Sequence, residues 1–204
     1  MSTNVDLFID HIKIIREEGF TIVSEITEEY GQIEICFDDG FAGIYDNIEL
    51  LIKLNVPIHL FLISSFIDND NYLSRKQLIY LKELSIIRIS SHSDTHCILP
   101  SLTQERLFEE LMISKEKLQK LLNKEVNSIC FPEGKFSSQV IEFAKKTMYI
   151  NFYSSIPGFY FTNRFLSVVN RSLVQFASLS EFKAILKGGD HILSFWYKSK
   201  HFIK

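Results

Sequence analysis

The apolar positions of this chain alternate between two spacings. Near the start they recur every three or four residues, as on the buried face of a helix, and this pattern stops at Gly19. A short continuous apolar run over 33–37 follows and is typical of a buried strand. The alternation then continues along the chain. Further helices are predicted near 44–54, 75–84, 103–122, 138–146 and 180–186, and further strands near 58–63, 84–89, 128–131, 149–154, 166–173 and 191–197.

Strands that alternate with helices favour a parallel sheet, either open or closed into a barrel. The periodicity does not separate these two architectures. No internal repeat, low-complexity tract or linker interrupts the alternation, and 204 residues lie within the usual range of one domain. We therefore predict a single α/β domain over residues 1–204.

Composition narrows the classes of function. The formal net charge is −3 and no basic cluster is present, so nucleic acid is not expected as a partner. The 18 phenylalanines are dispersed through apolar runs, which favours an aromatic core over a binding surface. The N-terminus lacks a basic region followed by an apolar stretch, and no segment is long and apolar enough to cross a bilayer. We expect a cytoplasmic protein, and the sequence leaves its oligomeric state open.

Two adjacent carboxylates, Asp38 and Asp39, come directly after the apolar run 33–37 and before Gly40. Successive side chains of a strand point to opposite faces, but a glycine that relaxes the strand end allows both carboxylates to converge. One carboxylate could then hold a cation while the other accepts a proton from water. The alternative is that both aspartates cap a helix that starts near Phe41.

Two histidines, His92 and His96, follow another apolar run four positions apart. Imidazoles at this spacing can meet one metal from a single helical turn or a tight loop. Together with a carboxylate they would supply three protein ligands and leave a coordination position open, as in a catalytic zinc site. The alternative is a pair of surface histidines. Because both strings follow strands and precede helices, where βα folds gather functional loops, we favour the metal site.

The three cysteines, Cys36, Cys97 and Cys130, are odd in number and widely spaced, which does not indicate a disulfide framework. Cys36 and Cys97 adjoin candidate site residues and could be additional metal ligands. In a strand, Cys36 is better explained as a small apolar side chain that fills space.

Taken in order, these strings resemble a known family. The runs 37–40 and 92–96 resemble the first two motifs of the NodB-type polysaccharide deacetylases, carbohydrate esterase family 4. The segment from Leu102 through Glu110 to Leu118 is similar to the helix that follows the histidines there, and 130–134 looks like the third motif. The resemblance extends from about Asp6 to Leu186. It implies a distorted (β/α) barrel with fewer than eight complete βα units and a metal at the carboxyl-terminal rim of the strands.

The resemblance also implies a chemistry. Asp39, His92 and His96 would hold one divalent cation, by ligand type most simply zinc, although cobalt, nickel or iron would also suit. Asp38 would be the general base that deprotonates the attacking water, and the substrate would be an N-acetylated saccharide. Two alternatives stay open: a deacylase of another amide such as N-formyl, and a non-catalytic member that binds metal and sugar.

The third motif departs from the common pattern because it lacks the arginine that orients the catalytic aspartate. It looks more like the branch that acts on poly-N-acetylglucosamine and related exopolysaccharides, and Phe131, Pro132 and Glu133 would then contact substrate. Arg171 resembles a later arginine of that branch and is a candidate for the missing charge in catalysis. The alternative is that Arg171 is simply a surface or salt-bridged arginine on a strand.

The general acid is the second departure. Members of that branch use a histidine near an additional N-terminal strand, and this chain begins at its predicted first helix. His11 lies on the apolar face of that helix and is not expected to substitute. By position we assign the catalytic acid to His191, which opens the predicted strand 191–197, with His201 behind it.

Overall fold

Five short parallel strands form the central sheet of the computed structural model, which describes residues 4–161 and 165–190. The sheet curls into a half-barrel, so the predicted distorted barrel with incomplete βα units is confirmed. A separate pair of parallel strands lies before it in the chain. The two-stranded sheet consists of β1 (Thr21–Ile22) and β2 (Gln32–Ile33), and the central sheet of β3 (Cys36–Phe37), β4 (Ile58–Leu62), β5 (Ile87–Ser91), β6 (Ser128–Cys130) and β7 (Asn151–Tyr153), in that spatial order.

Helices connect the strands, and most of them begin at a capping side chain. Asn, Ser or Thr oxygens accept a hydrogen bond from the first turn of five helices, which satisfies a backbone N–H that would otherwise lack a partner. The helices are α1 (Val5–Glu17), α2 (Gly43–Asp46), α3 (Ile48–Leu54), α4 (Arg75–Leu81), α5 (Gln104–Leu122), α6 (Ser138–Lys146) and α7 (Leu179–Leu186). No helix within the described ranges is long and apolar enough to cross a membrane.

Both faces of the central sheet are covered, as expected for parallel strands. Every residue of β4 is buried, and its side chains alternate between two environments. Ile58, Leu60 and Leu62 pack in the main core against the helices, whereas Phe61 packs on the inner face of the half-barrel with Cys130 and other residues. The inner face of the half-barrel ends at the carboxyl ends of the strands, where Asp38 follows β3 and His92 follows β5.

Two predicted strands differ from the structure. The run 33–37 is divided between β2 and β3, and 166–173 is not a strand within the described residues. A 3-10 turn, Phe165–Ser167, occupies its start, where Leu166 and Ser167 have left-handed φ angles of 51° and 64°. Only Val169 forms a parallel bridge, with Tyr153 of β7. Val168 and Val169 are buried although their backbone is irregular, whereas Leu173 is exposed, so tertiary packing overrides the strand that the apolar run predicted. The predicted strand 191–197 lies outside the described residues.

A polar layer crosses the inner face near the start of the strands. His59 of β4 is fully buried, and its Nδ1 lies 2.8 Å from Glu34 Oε1 while its Nε2 lies 2.7 Å from Ser90 Oγ. Arg88 lies beside the same carboxylate, with Nη1 3.6 Å from Oε1, and its Nη2 donates to Ser128 Oγ at 3.1 Å. Most polar groups of this layer are thus hydrogen-bonded, as burial requires, whereas Arg88 Nη1 has only the ion-pair contact with Glu34.

The pKa of His59 provides a test of this layer. Burial lowers the pKa of His59 from 6.5 to about 4, even though Glu34 acts in the opposite direction. The unfolded chain therefore takes up a proton on this residue as the pH falls below 6.5, whereas the folded protein resists it until about pH 4. We expect the free energy of unfolding of the metal-free protein to fall across this window, with His59 contributing up to about 3 kcal/mol.

Urea unfolding at several pH values, in wild type and in His59→Gln, measures this effect. Glutamine can still bridge Glu34 and Ser90 but does not titrate, so the dependence of stability on pH should be shallower in the variant. Equal slopes in the two proteins would show that His59 does not govern the acid sensitivity.

Candidate active site

The backbone at the end of β3 turns the two aspartates toward different partners. Asp39 has a left-handed φ of 69° and Gly40 one of 84°. A Cβ on Gly40 would lie 2.7 Å from Leu62 Cδ2, so both the conformation and the space favour glycine. The following helix α2 starts at Gly43 with Ala42 at its N-cap and no side-chain capping bond. The alternative in which the aspartates cap that helix is therefore wrong.

The two histidines lie on a tight loop after β5 rather than on a helix. Ser93 and His96 have φ angles of 66° and 63°, which let the loop fold back on itself. Ser91 Oγ accepts from the backbone N–H of Ser93 at 3.2 Å, and Ser93 Oγ accepts from that of His96 at 3.1 Å. The rings of His92 and His96 are thereby brought within 4.9 Å of each other, measured between centroids.

Asp39, His92 and His96 form a group that could hold a metal ion. Asp39 Oδ1 lies 3.6 Å from His92 Nε2 and 3.4 Å from His96 Nε2, and ligand atoms of all three residues lie within 4.8 Å of one another. These residues come from the ends of β3 and β5, so the fold places together what the sequence separates by more than fifty positions.

The protonation of His92 also suits a ligand. Its Nδ1 lies 2.7 Å from the carbonyl oxygen of Cys130, and because a carbonyl only accepts, Nδ1 carries the proton. The lone pair of the neutral ring is then on Nε2, toward Asp39. Burial lowers the pKa of His92, which favours this neutral form despite the nearby Asp38 carboxylate. One carboxylate and two imidazoles are a donor set that fits a divalent cation.

Asp38 is held by an arginine from the far end of the described chain. Arg171 Nη1 donates to Asp38 Oδ1 at 2.8 Å and Nη2 donates to Oδ2 at 2.7 Å, a bidentate pair. The Arg171 Nε–H donates to the carbonyl of Ser154 at 2.9 Å, and its guanidinium carbon lies 5.0 Å from the centroid of the Phe61 ring. Arg171 is 12% exposed, so the alternative of a surface arginine does not hold.

This ion pair sets the charge of Asp38. Burial alone would raise the pKa of the carboxyl, but the positive charge of Arg171 and its hydrogen bonds, with His92, hold the pKa well below the ordinary value. Asp38 is therefore an ionised carboxylate beside the three-residue group, able to accept a proton.

Cys130 belongs to the site, although the sequence motifs did not indicate a role for its side chain. Its Sγ lies 2.8 Å from Arg171 Nη2 and 3.8 Å from Asp38 Oδ2, while its carbonyl orients His92. Burial raises the pKa of the Cys130 thiol well above its ordinary value, so the group is neutral. A small side chain at this position leaves room for the guanidinium of Arg171. The sequence does give one indication of this role: Cys130 is the first residue of the third motif, and that motif lacks the arginine that is common in other members.

The other two cysteines lie outside the three-residue group. Cys36 has Glu34 and His59 nearby, but both nitrogens of His59 already have hydrogen-bond partners. Burial raises the pKa of the Cys36 thiol to about 12, so it is a neutral side chain on the inner face, in line with the space-filling interpretation. Cys97 packs against the main core.

The residues that were predicted to contact the substrate, Phe131, Pro132 and Glu133, do not form a common surface beside the two aspartates and two histidines. Phe131 is completely buried and packs against Phe136 and Phe152, and Pro132 is also buried, so neither presents a surface to a substrate. That part of the prediction is wrong because the third motif begins inside the core. Glu133 is exposed and pairs with Lys135. His191 and His201 lie outside the described residues.

Comparisons with known proteins identify the family of this chain and its fold. The sequence model of the polysaccharide deacetylase family matches residues 26–151. The chain belongs to this family. It is 25% identical over 162 residues to YxkH, a candidate polysaccharide deacetylase of Bacillus subtilis (strain 168), in an alignment that covers 74% of this chain. The matched region is 58% of YxkH, so the chain spans less than two thirds of that relative.

Solved structures show the same fold as this polysaccharide deacetylase domain. The Streptococcus pyogenes deacetylase PplD, in complex with acetate, aligns with a TM-score of 0.80 at 19% identity, covering 90% of this chain and 87% of PplD. IcaB from Ammonifex degensii aligns with a TM-score of 0.79 at 16% identity, covering 92% and 93%. A more distant match, BA3943 from Bacillus anthracis, is a CE4 family pseudoenzyme with a TM-score of 0.53 at 13% identity, covering 76% and 60%.

The ion pair in this deacetylase domain leads to a stability prediction. Arg171→Met leaves Asp38 without its bidentate partner in a largely buried position, whereas Arg75→Met removes an exposed arginine from Asp68. We expect Arg171→Met to lower the free energy of unfolding by about 2 to 3 kcal/mol, somewhat below the range for fully buried pairs because Asp38 is 28% exposed. The loss in Arg75→Met should be much smaller, because solvent screens this exposed pair. Urea unfolding of the metal-free proteins measures both, and comparable losses would contradict the special status of Arg171.

Proposed function

We propose that this chain is a metal-dependent hydrolase that removes N-acetyl groups from an amino sugar or saccharide in glycan metabolism. The observation that carries the proposal is an ionised Asp38, held by Arg171, beside the carboxylate of Asp39 and the two imidazoles of His92 and His96. A cation site alone does not require the second carboxylate, whereas hydrolysis of an amide by water requires a group that accepts the proton of the water.

Each residue has a defined part in this proposal. Asp39, His92 and His96 would hold one divalent cation, with zinc as the first candidate and cobalt, nickel or iron as others. A cation bound there supplies Lewis acidity, which polarises a carbonyl oxygen and makes a neighbouring water acidic enough to lose a proton to a weak base. Asp38 accepts that proton at a carboxylate oxygen while the water oxygen attacks the acetyl carbon. Arg171 keeps Asp38 ionised and fixed in orientation.

The departing amine must receive a proton before the carbon–nitrogen bond can break easily. We keep His191 as the proposed donor, and Asp38 could also return the proton that it accepted. The products are acetate and the free amino sugar. The substrate is proposed as an N-acetylated saccharide because the family is defined by polysaccharide deacetylation.

A non-catalytic member is the second candidate, and one observation favours it. Within the described ranges, no third histidine lies beside Asp39, His92 and His96: His11 is on α1, and His59 is buried in the polar layer near the start of the strands. If Asp38 does not return the proton and no donor reaches the site from elsewhere, the chain would bind saccharide without cleaving it. Acetate release from N-acetylated oligosaccharides decides between the two candidates.

The metal site is tested by elemental analysis of purified protein. Wild type should contain about one divalent ion per chain, and His92→Ala with His96→Ala should lose it, because a single carboxylate is a weak site. His11→Ala is the matched control, since it removes a buried histidine far from the group and should retain the metal. Equal metal content in wild type and the double variant would exclude this ligand set.

The role of Asp38 is tested by Asp38→Asn. The variant keeps the shape of the side chain but cannot accept the proton, so acetate release should fall by about a hundredfold to ten-thousandfold while the metal content stays unchanged. Asp68→Asn, which alters an exposed aspartate in the other Arg–Asp pair, should retain full activity. Near wild-type acetate release by Asp38→Asn would assign that residue a structural role instead.

A further inference from the structure

The loop that carries both histidines adopts a backbone that needs external support. Ser93 and His96, both non-glycine residues, lie in the left-handed region, which costs free energy and persists only where surrounding contacts fix it. The serine hydroxyls within the loop satisfy two of its backbone N–H groups. The N–H of Thr95, directly before His96, is satisfied from outside the loop.

That external partner is Glu110 on α5. The backbone N–H of Thr95 donates to Glu110 Oε1 at 2.5 Å, and the Thr95 hydroxyl donates to the same carboxylate at 3.0 Å and 3.2 Å. Glu110 is only 4% exposed. Among the described residues, no lysine, arginine or histidine nitrogen lies within 4.0 Å of its carboxylate.

This arrangement is unlike that of the other acidic residue at the loop. Asp94 accepts from Ser64 Oγ at 2.5 Å and lies 2.8 Å from Lys117 Nζ, so a lysine compensates its charge. Glu110 has Thr95 as its hydrogen-bond donor, with the Cys97 thiol also beside it. A buried carboxylate without a nearby cation is costly unless its hydrogen bonds repay the cost. The hydrogen bonds that offset this cost are those from Thr95, the residue between Asp94 and His96.

We propose that Glu110 is a positioning residue that fixes the Thr95 peptide and thereby holds His96 in the geometry required to bind the metal with Asp39 and His92. The inference rests on the metal site of the proposed function. It implies that part of the affinity of this site for the metal depends on Glu110 of α5. Glu110 does not itself contact the metal or the substrate. Its removal should therefore act on metal affinity through the loop.

The chain offers a matched pair of variants on one helix. Glu110→Met and Lys115→Met both replace a buried charged residue of α5 with the same unbranched side chain. Lys115 donates to the Met148 carbonyl at 2.6 Å and lies 4.8 Å from the centroid of the Tyr149 ring, away from the histidine loop. The two variants should destabilise the metal-free protein in similar ways. Only Glu110→Met should weaken metal binding.

The measurement is the dissociation constant of Zn²⁺, obtained on metal-free protein by competition with a chromogenic chelator, together with the melting temperature of the same samples. Loss of an outer partner of metal ligands typically costs 10- to 100-fold in affinity, so Glu110→Met should bind Zn²⁺ about tenfold or more weakly. Lys115→Met should stay within about twofold of wild type, since the Lys115 ammonium donates to Asn127 and to the Met148 carbonyl rather than to residues of the loop 92–96. Equal affinities of Glu110→Met and wild type, or equal losses in the two methionine variants, would overturn the proposal.

Glu110→Gln separates the hydrogen bond from the charge. Its amide oxygen can still accept from the Thr95 N–H, so Zn²⁺ affinity should recover to within about threefold of wild type if positioning is the role. Loss as large as in Glu110→Met would contradict positioning. If Glu110→Met does not fold, Glu110→Asp replaces it, because the shorter side chain withdraws the carboxylate from Thr95 and should weaken Zn²⁺ binding in the same direction.

These outcomes are distinct from failure of the proposed function. If wild type binds no Zn²⁺, the metal site itself is wrong and the role of Glu110 falls with it. If wild type binds Zn²⁺ and Glu110→Met binds it equally well, the metal site stands and the positioning role is wrong.

Discussion

The bidentate ion pair between Arg171 and Asp38 connects the two open edges of the half-barrel. Asp38 follows β3, one edge strand of the central sheet, and Arg171 follows the segment that bridges to β7, the other edge strand. The two residues are 133 positions apart in the chain. Within residues 4–161 and 165–190 no strand pairing joins β3 to β7, so the charged contact between Asp38 and Arg171 is what fixes the distance between these two strands, and the site is built around that contact.

The same contact explains how a buried carboxylate remains charged. Beneath Asp38, the apolar part of the inner face includes Phe61, Cys130 and Tyr153 with Cys36 at its margin, and these neutral side chains offer little compensation for charge. In such surroundings an isolated carboxyl would take up a proton, whereas the paired carboxylate stays ionised. A base that is always ionised is also a weak base, so its proposed function depends on water being made acidic by the neighbouring site. The proposed role of Asp38 as a base therefore depends on a cation held by Asp39, His92 and His96.

The sequence predicted those parts of the molecule whose signals are local. Long amphipathic helices such as α5 were recognised because apolar spacing over many residues is unambiguous, and the strands leading to Asp38 and His92 because each is a compact apolar run. The run 166–173 was misjudged because its buried apolar residues, Val168 and Val169, lie in an irregular backbone after a 3-10 turn, where strand alternation does not apply. Phe131 was misjudged because a motif indicates position along the chain and not depth in the core.

Contacts between distant residues were harder to predict for a physical reason. Nothing near Arg171 in the sequence indicates Asp38, and only the order of the strands in the sheet brings the two together. Backbone atoms are a further case: the Cys130 carbonyl fixes the protonated nitrogen of His92, yet any residue at 130 would present a carbonyl. What the side chain at 130 contributes is its small size. An arginine there would occupy the space of the Arg171 guanidinium and meet its charge at close range, so a cysteine in the third motif and an arginine at 171 belong together as one solution for holding the same carboxylate.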